Sequence, residues 1–248
     1  MNPFHSLLAS TQSRRLGRLR RPMTQRPIVL VITGSIGGGK TTLSNLLREA
    51  RIAVFDSDQR VHRMMAVNGR AVSRVARDFP ESLRFNPQNQ PYIDRVSLGN
   101  CVFADDRRLK ILESILHPMV ELERKRFLQN PPRLGPKRPC QRRIMAIDSP
   151  LYFERLQTGG SRVFTRPSDP CNSLPNWVIA TVAPDFLQKQ RVMNRPRMTA
   201  AKFAGITAKQ LPSGEKSLRA DYSIPSGIGK AASRRRLRLA LTSIRSIT

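Results

Sequence analysis

The chain has 248 residues, enough for one catalytic core with one or two appended subdomains. It carries 44 Lys plus Arg against 17 Asp plus Glu, a formal net charge of +27, so its surface attracts polyanions such as nucleic acid, anionic membrane or phosphorylated metabolites. No apolar run reaches the roughly 18 residues that a membrane-spanning helix needs. Cys101, Cys140 and Cys171 lie far apart with no CxxC pair; they indicate neither a zinc site nor a disulfide framework, and they favour an intracellular compartment.

Residues 1–26 contain no acid, and six arginines fall between Arg14 and Arg26. That composition fits a transit peptide, hence a mitochondrial location. It equally fits a translation start at Met23 and a cytoplasmic protein. These residues are set apart from the fold. Ile28 to Thr33 (IVLVIT) predicts a buried parallel strand. After a Gly-rich turn, Leu43, Leu46 and Leu47 mark the inner face of a helix over 42–50. Ile52 to Phe55 is a second strand, and helical character resumes at Asp58 to Asp78. The Pro/Asn/Gln-rich region 80–91 predicts a loop, and 94–129 predicts helix. A breaker-rich connection spans Asn130 to Arg143. Ile144 to Ile147 is a third strand, a Pro/Ser-rich stretch covers Gly159 to Pro175, and Trp177 to Val182 is a fourth strand. Helices at 184–194 and 199–220, a short strand at Tyr222 to Ile224 and a basic helix over about 230–245 close the chain. Strands alternating with helices predict an α/β doubly wound sheet.

Gly34-Ser35-Ile36-Gly37-Gly38-Gly39-Lys40-Thr41 satisfies the phosphate-loop pattern GxxxxGK[ST], between a strand and a helix as the motif requires. Glycines let successive N–H groups turn inward onto phosphate oxygens, and the helix N-terminus adds positive potential. Gly34, Ile36, Gly37, Gly38, Gly39, Lys40, Thr41 and Thr42 are therefore the expected nucleotide-binding residues. Lys40 reaches the β- and γ-phosphates, and the Thr41 hydroxyl ligates Mg²⁺. The loop names a nucleoside triphosphate and no reaction.

The second strand runs into Asp56-Ser57-Asp58. In a parallel sheet, ligands sit at the carboxyl ends of strands. Asp58 there can accept a proton from a substrate hydroxyl. A helix cap is the competing use, and one of the two aspartates is expected to serve it. Asp148 ends the third strand as a Walker-B-type carboxylate does, and is the expected second Mg²⁺-side residue beside Thr41; a strand-end cap is its alternative. Arg191 and Arg195 stand four apart on one predicted helical face in a lid candidate, Phe186 to Asp221. Arginines on a closing lid neutralise charge on a transferring phosphoryl group, although in so basic a chain a solvated face is the alternative.

Taken in order, the phosphate loop, Asp56-Ser57-Asp58, Tyr92-Ile93-Asp94-Arg95, Val102-Phe103-Ala104-Asp105, Ile115-Leu116-His117-Pro118, Pro150-Leu151-Tyr152-Phe153-Glu154 and Arg219-Ala220-Asp221-Tyr222 resemble the dephospho-coenzyme A kinase family, from about Ile28 to Ile244. The resemblance implies phosphorylation of the ribose 3′-hydroxyl of dephospho-CoA by ATP and Mg²⁺, the last step of coenzyme A synthesis. It implies a P-loop three-layer α/β/α fold with a five-stranded parallel sheet, a helical substrate-binding subdomain and a helical lid. The single kinase domain would cover 27–248: core about 27–57, 142–183 and 221–248, CoA-binding helices about 58–130, lid about 184–220. By the same resemblance Asp58 matches the catalytic base, Asp56 shapes the same site, and Arg95 and His117 lie near the CoA-binding helices. For His117, a packed His-Pro pair that breaks a helix is the alternative. Gln210, Lys216 and Asp221 match the pattern after the lid. One departure is Ile224-Pro225-Ser226-Gly227, where the family often carries Asn against adenine. Dephospho-CoA and ATP are the expected partners, with no membrane, no nucleic acid, and a monomer or small homo-oligomer. No RNA- or DNA-reading motif accompanies the charge, and aromatics are only 6%. A different small-molecule kinase, or a non-enzymatic nucleic-acid-associated protein, are the competing readings.

Overall fold

The computed structural model describes residues 27–103, 105–130, 132, 143–157, 177–196 and 198–247. The expectations for 1–26, for most of the 130–143 connection and for 159–175 lie outside them.

Five strands, β1 (Ile28–Thr33), β2 (Ala53–Asp56), β5 (Ile144–Asp148), β6 (Trp177–Val182) and β7 (Tyr222–Pro225), form one parallel sheet in the order β2-β5-β1-β6-β7. The central strand β1 pairs with β5 on one side and β6 on the other. It is buried along its whole length, as expected of a β-rich run without charged residues that is covered on both faces. Its period-2 alternation divides the core. Ile28, Leu30 and Ile32 meet Leu43, Leu46 and Leu47 of α1 (Lys40–Glu49) together with Leu237, Leu241 and Ile244 of the C-terminal helix. Val29 and Val31 face the other way, onto Phe127, Tyr152 and Phe153.

A second apolar core lies away from the sheet. It gathers Met64 and Met65 of α2 (Ser57–Met65), Val72 and Val75 of α3 (Val72–Asp78), Phe79, Ile93, Leu98 of α4 (Arg95–Phe103), and Leu116 of α5 (Asp106–Gln129). Helix α5 joins the two cores: Leu116 packs in this outer one, and eleven residues on, Phe127 sits beneath the sheet with its ring 5.4 Å from that of Phe55. Arg60 reinforces the joint, lying over Phe55 and pairing with Glu123 at 3.6 Å.

Four expectations change. The region expected to be loop at 80–91 contains a short antiparallel hairpin, β3 (Leu83–Phe85) and β4 (Pro91–Ile93); each strand has three residues, too few for alternation to register. The helix expected over Asp58 to Asp78 is two helices, because the chain turns through Asn68 at φ 54 and Gly69. The long helix expected at 94–129 breaks at Asp105, whose carboxylate accepts the Arg107 N–H and caps α5. Pro118 does not end α5, which continues to Gln129; its anchorage in both cores outweighs the lost backbone bond.

The remaining helices are α6 (Tyr152–Gln157), α7 (Asp185–Met193), α8 (Ala200–Ala208), α9 (Ser213–Arg219) and α10 (Lys230–Ile247). The 199–220 stretch is thus two helices rather than one, separated by Pro212. No helix among the described residues is long and apolar enough to cross a membrane.

Candidate active site

The phosphate loop leaves β1 and enters α1 through Gly39, whose left-handed φ of 95° turns the chain and whose missing side chain admits Ser226; a Cβ there would lie 2.5 Å from Ser226 Cβ. At the other end of the loop, a Cβ on Gly34 would lie 2.2 Å from Thr181 Oγ1. Lys40 folds back, its Nζ donating to the carbonyls of Gly34 at 2.7 Å and Ser35 at 3.2 Å. Burial pushes its ammonium down to about 8, against the attraction of Asp148, while Lys216 and Arg195 add repulsion. Residues Ile36 to Thr42 line a cleft of about 670 Å³ at the carboxyl ends of β1, β2 and β5. Gly34 serves the loop's turn rather than the cleft wall.

Three aspartates face this loop. Asp56 and Asp148 lie side by side in the β2–β5 register. Asp56 spends one oxygen on the α2 N-cap, accepting the Gln59 N–H at 2.9 Å. Asp58, one position into α2, is exposed on the cleft. Of the two readings of the Asp56–Asp58 pair, the cap falls to Asp56, and the Asp58 carboxylate faces the cavity without a hydrogen bond among the described residues. Asp148 accepts the Ser44 hydroxyl at 3.3 Å through Oδ2, and its buried Oδ1 has no hydrogen-bond partner. Burial pushes Asp148 up to about 6, opposed by Lys40 and reinforced by Asp56 and Asp58. An unsatisfied buried carboxylate oxygen in the cleft that Thr41 also lines suits a hard cation such as Mg²⁺, which takes few protein ligands and completes its shell with water and phosphate.

The basic side chains differ in how they are held. Arg191, on α7, donates to the Gly37 carbonyl at 3.1 Å and to Ser226 Oγ at 3.0 Å and Ser226 O at 2.7 Å. Ser226 in turn donates to the Gly38 carbonyl at 2.8 Å. Arg195 also lines the cleft but lies past the end of α7, so the two arginines do not share a helical face. Its side chain makes no hydrogen bond or ion pair among the described residues. Arg95 stands at the start of α4, outside the cleft wall, with its Nη1 3.4 Å from His62 Nδ1. His62 itself lines the cleft, one helical turn beyond Asp58. His117 does not reach the site: it is exposed on α5, and the cleft wall contains none of that helix. A motif fixes a residue to a helix, but which face meets the cavity depends on how the helix packs.

Sequence reasoning missed Ser226 and His62. In the sequence Ser226 stands out only as a departure from Asn; its contacts are with residues 35 and 188 positions away. His62 carried one usable signal, its i+4 spacing from Asp58 on an amphipathic helix.

The described geometry has known counterparts. A family model described as dephospho-CoA kinase matches residues 28–228. A dephospho-CoA kinase from Rhodospirillum rubrum is 38% identical over 222 residues, covering 88% of this chain and 92% of the relative. One from Mesorhizobium japonicum is 38% identical over 207 residues, covering 84% and 91%. Among solved structures, a Thermus thermophilus protein superposes with a TM-score of 0.63 at 26% identity, covering 88% of this chain and 97% of that one. Dephospho-CoA kinase from Campylobacter jejuni gives 0.56 at 20%, with 88% and 97% covered, a likeness of fold.

Proposed function

The chain belongs to the dephospho-CoA kinase family, and from that premise we propose that it transfers the γ-phosphoryl group of ATP to the ribose 3′-hydroxyl of dephospho-CoA, giving coenzyme A and ADP. The single observation that carries the reading is that Asp58 and the phosphate loop share one cleft.

In the reaction, a bond forms between the 3′-oxygen and the γ-phosphorus, and the bond from that phosphorus to the β–γ bridging oxygen breaks. The hydroxyl proton passes to the Asp58 carboxylate, which is free to take it because Asp56 serves the helix cap. The amides of Gly37 to Thr42 and the N-terminus of α1 hold the triphosphate. Lys40 would leave the Gly34 and Ser35 carbonyls for the β- and γ-phosphates. Thr41 and Asp148 are the residues that would hold Mg²⁺, which when bound neutralises charge on the phosphates. Arg195 is the arginine free to swing onto the transferring group, whereas Arg191 is committed to the loop and Ser226. Arg95, with His62 beside it, belongs to the acceptor side. The moving part of the lid is α8, which buries none of its residues, while α7 and α9 are anchored in the core. Closure there would exclude the water that otherwise hydrolyses ATP. The compartment proposed is the cytoplasm.

The test is a coupled ADP-release assay with Mg·ATP, with and without dephospho-CoA, beside a panel of nucleosides and nucleoside monophosphates. ADP release that depends on dephospho-CoA, and yields a product phosphorylated at the 3′ position, is expected. Turnover that prefers another acceptor overturns the reading.

A further inference from the structure

The phosphate loop is tied to a segment far outside the GxxxxGK[ST] motif. The Ile36 N–H donates to Gln210 Oε1 at 2.8 Å, across a separation of 174 residues. Beside it, Ser35 Oγ donates to the Leu211 carbonyl at 3.2 Å. Both partners lie in the short link between α8 and α9. That link is itself held from below: the Leu211 N–H donates to Glu154 Oε1 at 2.8 Å, and Glu154 Oε1 pairs with Lys216 Nζ at 2.7 Å. Lys216 is 0% exposed, and its Nζ also donates to the Pro150 carbonyl, the acceptor of the Thr33 hydroxyl at the end of β1. The chain of contacts is closed. It runs from the loop through Gln210 and Leu211 to Glu154 and Lys216, and returns through Pro150 to the strand from which the loop springs.

A buried ion pair is a poor device for stability alone, since its desolvation cost cancels most of the attraction. It is a good device for holding geometry. A phosphate loop binds well only if its amides already point inward before the nucleotide arrives, because an unfixed loop must be ordered at the expense of affinity. Fixing the Ile36 amide through Gln210, at the edge of the cleft wall, sets the direction of the backbone that follows, and leaves the amides of Gly37 to Thr42 for phosphate.

We propose that Gln210 is a positioning residue that presets the phosphate loop for ATP, and that the buried Glu154–Lys216 pair holds Gln210 in place. The inference rests on the kinase reading for its nucleotide, but not on the acceptor. Because Gln210 lies two residues past the end of α8, the same contact couples lid position to the shape of the loop.

Titration calorimetry of Mg·ATP into the full chain, without acceptor, tests this. Gln210→Met keeps the reach of the side chain and removes the oxygen acceptor; Gln210→Ala removes both. Both are expected to weaken ATP binding by about tenfold, the scale of one lost hydrogen bond to a partly buried donor. In the kinase assay the ATP KM rises in step, while the dephospho-CoA KM stays within about twofold. Glu154→Gln, which preserves shape, is expected to lower Tm and to weaken ATP binding as well. Wild-type ATP affinity in Gln210→Met overturns the positioning role. A lowered Tm with unchanged ATP affinity in Glu154→Gln overturns the coupling and leaves the pair merely structural. Wild-type chain that binds ATP but ignores dephospho-CoA would count against the kinase reading and leave this inference standing.

Discussion

The phosphate-loop side of the cleft and its proposed acceptor side are built differently. On the donor side the phosphate loop is braced at four points: Ile36 by Gln210, Gly37 by Arg191, Gly38 by Ser226, and Ser35 by Leu211. The braces come from three distant segments that converge at the strand ends. On the proposed acceptor side, Asp58, His62 and Arg95 are exposed, and Arg95 Nη1 lies 3.4 Å from His62 Nδ1. The outer core behind them is separate from the sheet and linked to it through α5. The contrast teaches where each side spends its order. Triphosphate is a rigid, highly charged target that rewards a preset cradle. A long, flexible acceptor is met by side chains that can adjust when it arrives.

The sharpest way to break the comparison is Asp58→Asn. If the two sides are independent, the variant should keep ATP affinity within about twofold, since it touches none of the braces. It should lose kcat by roughly 10²- to 10⁴-fold, the usual worth of a positioned general base. Calorimetry for ATP and the coupled assay for turnover separate the two quantities. Near-full turnover would remove Asp58 from the base role, and a parallel loss of ATP binding would show that the sides are not independent.

Arg95→Ala should act on the acceptor alone. Losing one cationic hydrogen-bond donor should raise the dephospho-CoA KM by roughly tenfold, with the ATP KM unchanged. Ser226→Ala is its donor-side mirror. It removes the hydroxyl shared by Gly38 and Arg191, but the Arg191 bond to the Ser226 carbonyl remains. A rise of about three- to fivefold in the ATP KM is expected, within the net range of an ordinary hydrogen bond. Steady-state titration of each substrate at saturating partner distinguishes the pair; crossed effects would show that the cleft responds as one unit.

What could be read from sequence divides along the same line. The cradle was legible because its chemistry is local: Gly34 to Thr41 is contiguous, and the apolar run before it and the leucine spacing after it specify strand and helix without reference to the rest of the chain. The parallel sheet followed from the alternation of strands and helices, and from strand interiors such as Ile144 to Ile147 that are apolar throughout. The braces' contacts were not legible, although Arg191 and Gln210 stand out in the sequence as a lid arginine and as a match to the family's pattern. Gln210 and Ser226 are ordinary polar residues whose partners are fixed only by the fold, and Ser226 stood out merely as an absent Asn. The division of labour between Asp56 and Asp58 needed the helix boundary to the residue, since the cap belongs to whichever aspartate precedes Ser57. The hairpin at Leu83 to Ile93 was hidden because its strands are shorter than the periodicity that would reveal them. The four-residue spacing of Arg191 and Arg195 implies one helical face, but α7 ends at Met193, so Arg195 reaches the same cleft from beyond the helix.

The smallest effect belongs to His117, and it tests how far the acceptor side extends. The motif Ile115-Leu116-His117-Pro118 places this residue among substrate-binding helices by resemblance, yet its neighbour Leu116 is the one turned into the outer core. His117 itself is exposed and is not part of the wall that Asp58, Gln59 and His62 line. If the acceptor is held only by the cleft wall and its margin at Arg95, His117→Ala should change both KM values and kcat by less than about twofold, as expected of an exposed helix position outside a site. Thermal melting should move by no more than a degree or two on the same grounds. A several-fold rise in the dephospho-CoA KM alone would instead extend the acceptor's footprint across α5. That would make the outer core a scaffold for binding along its whole length rather than at one end.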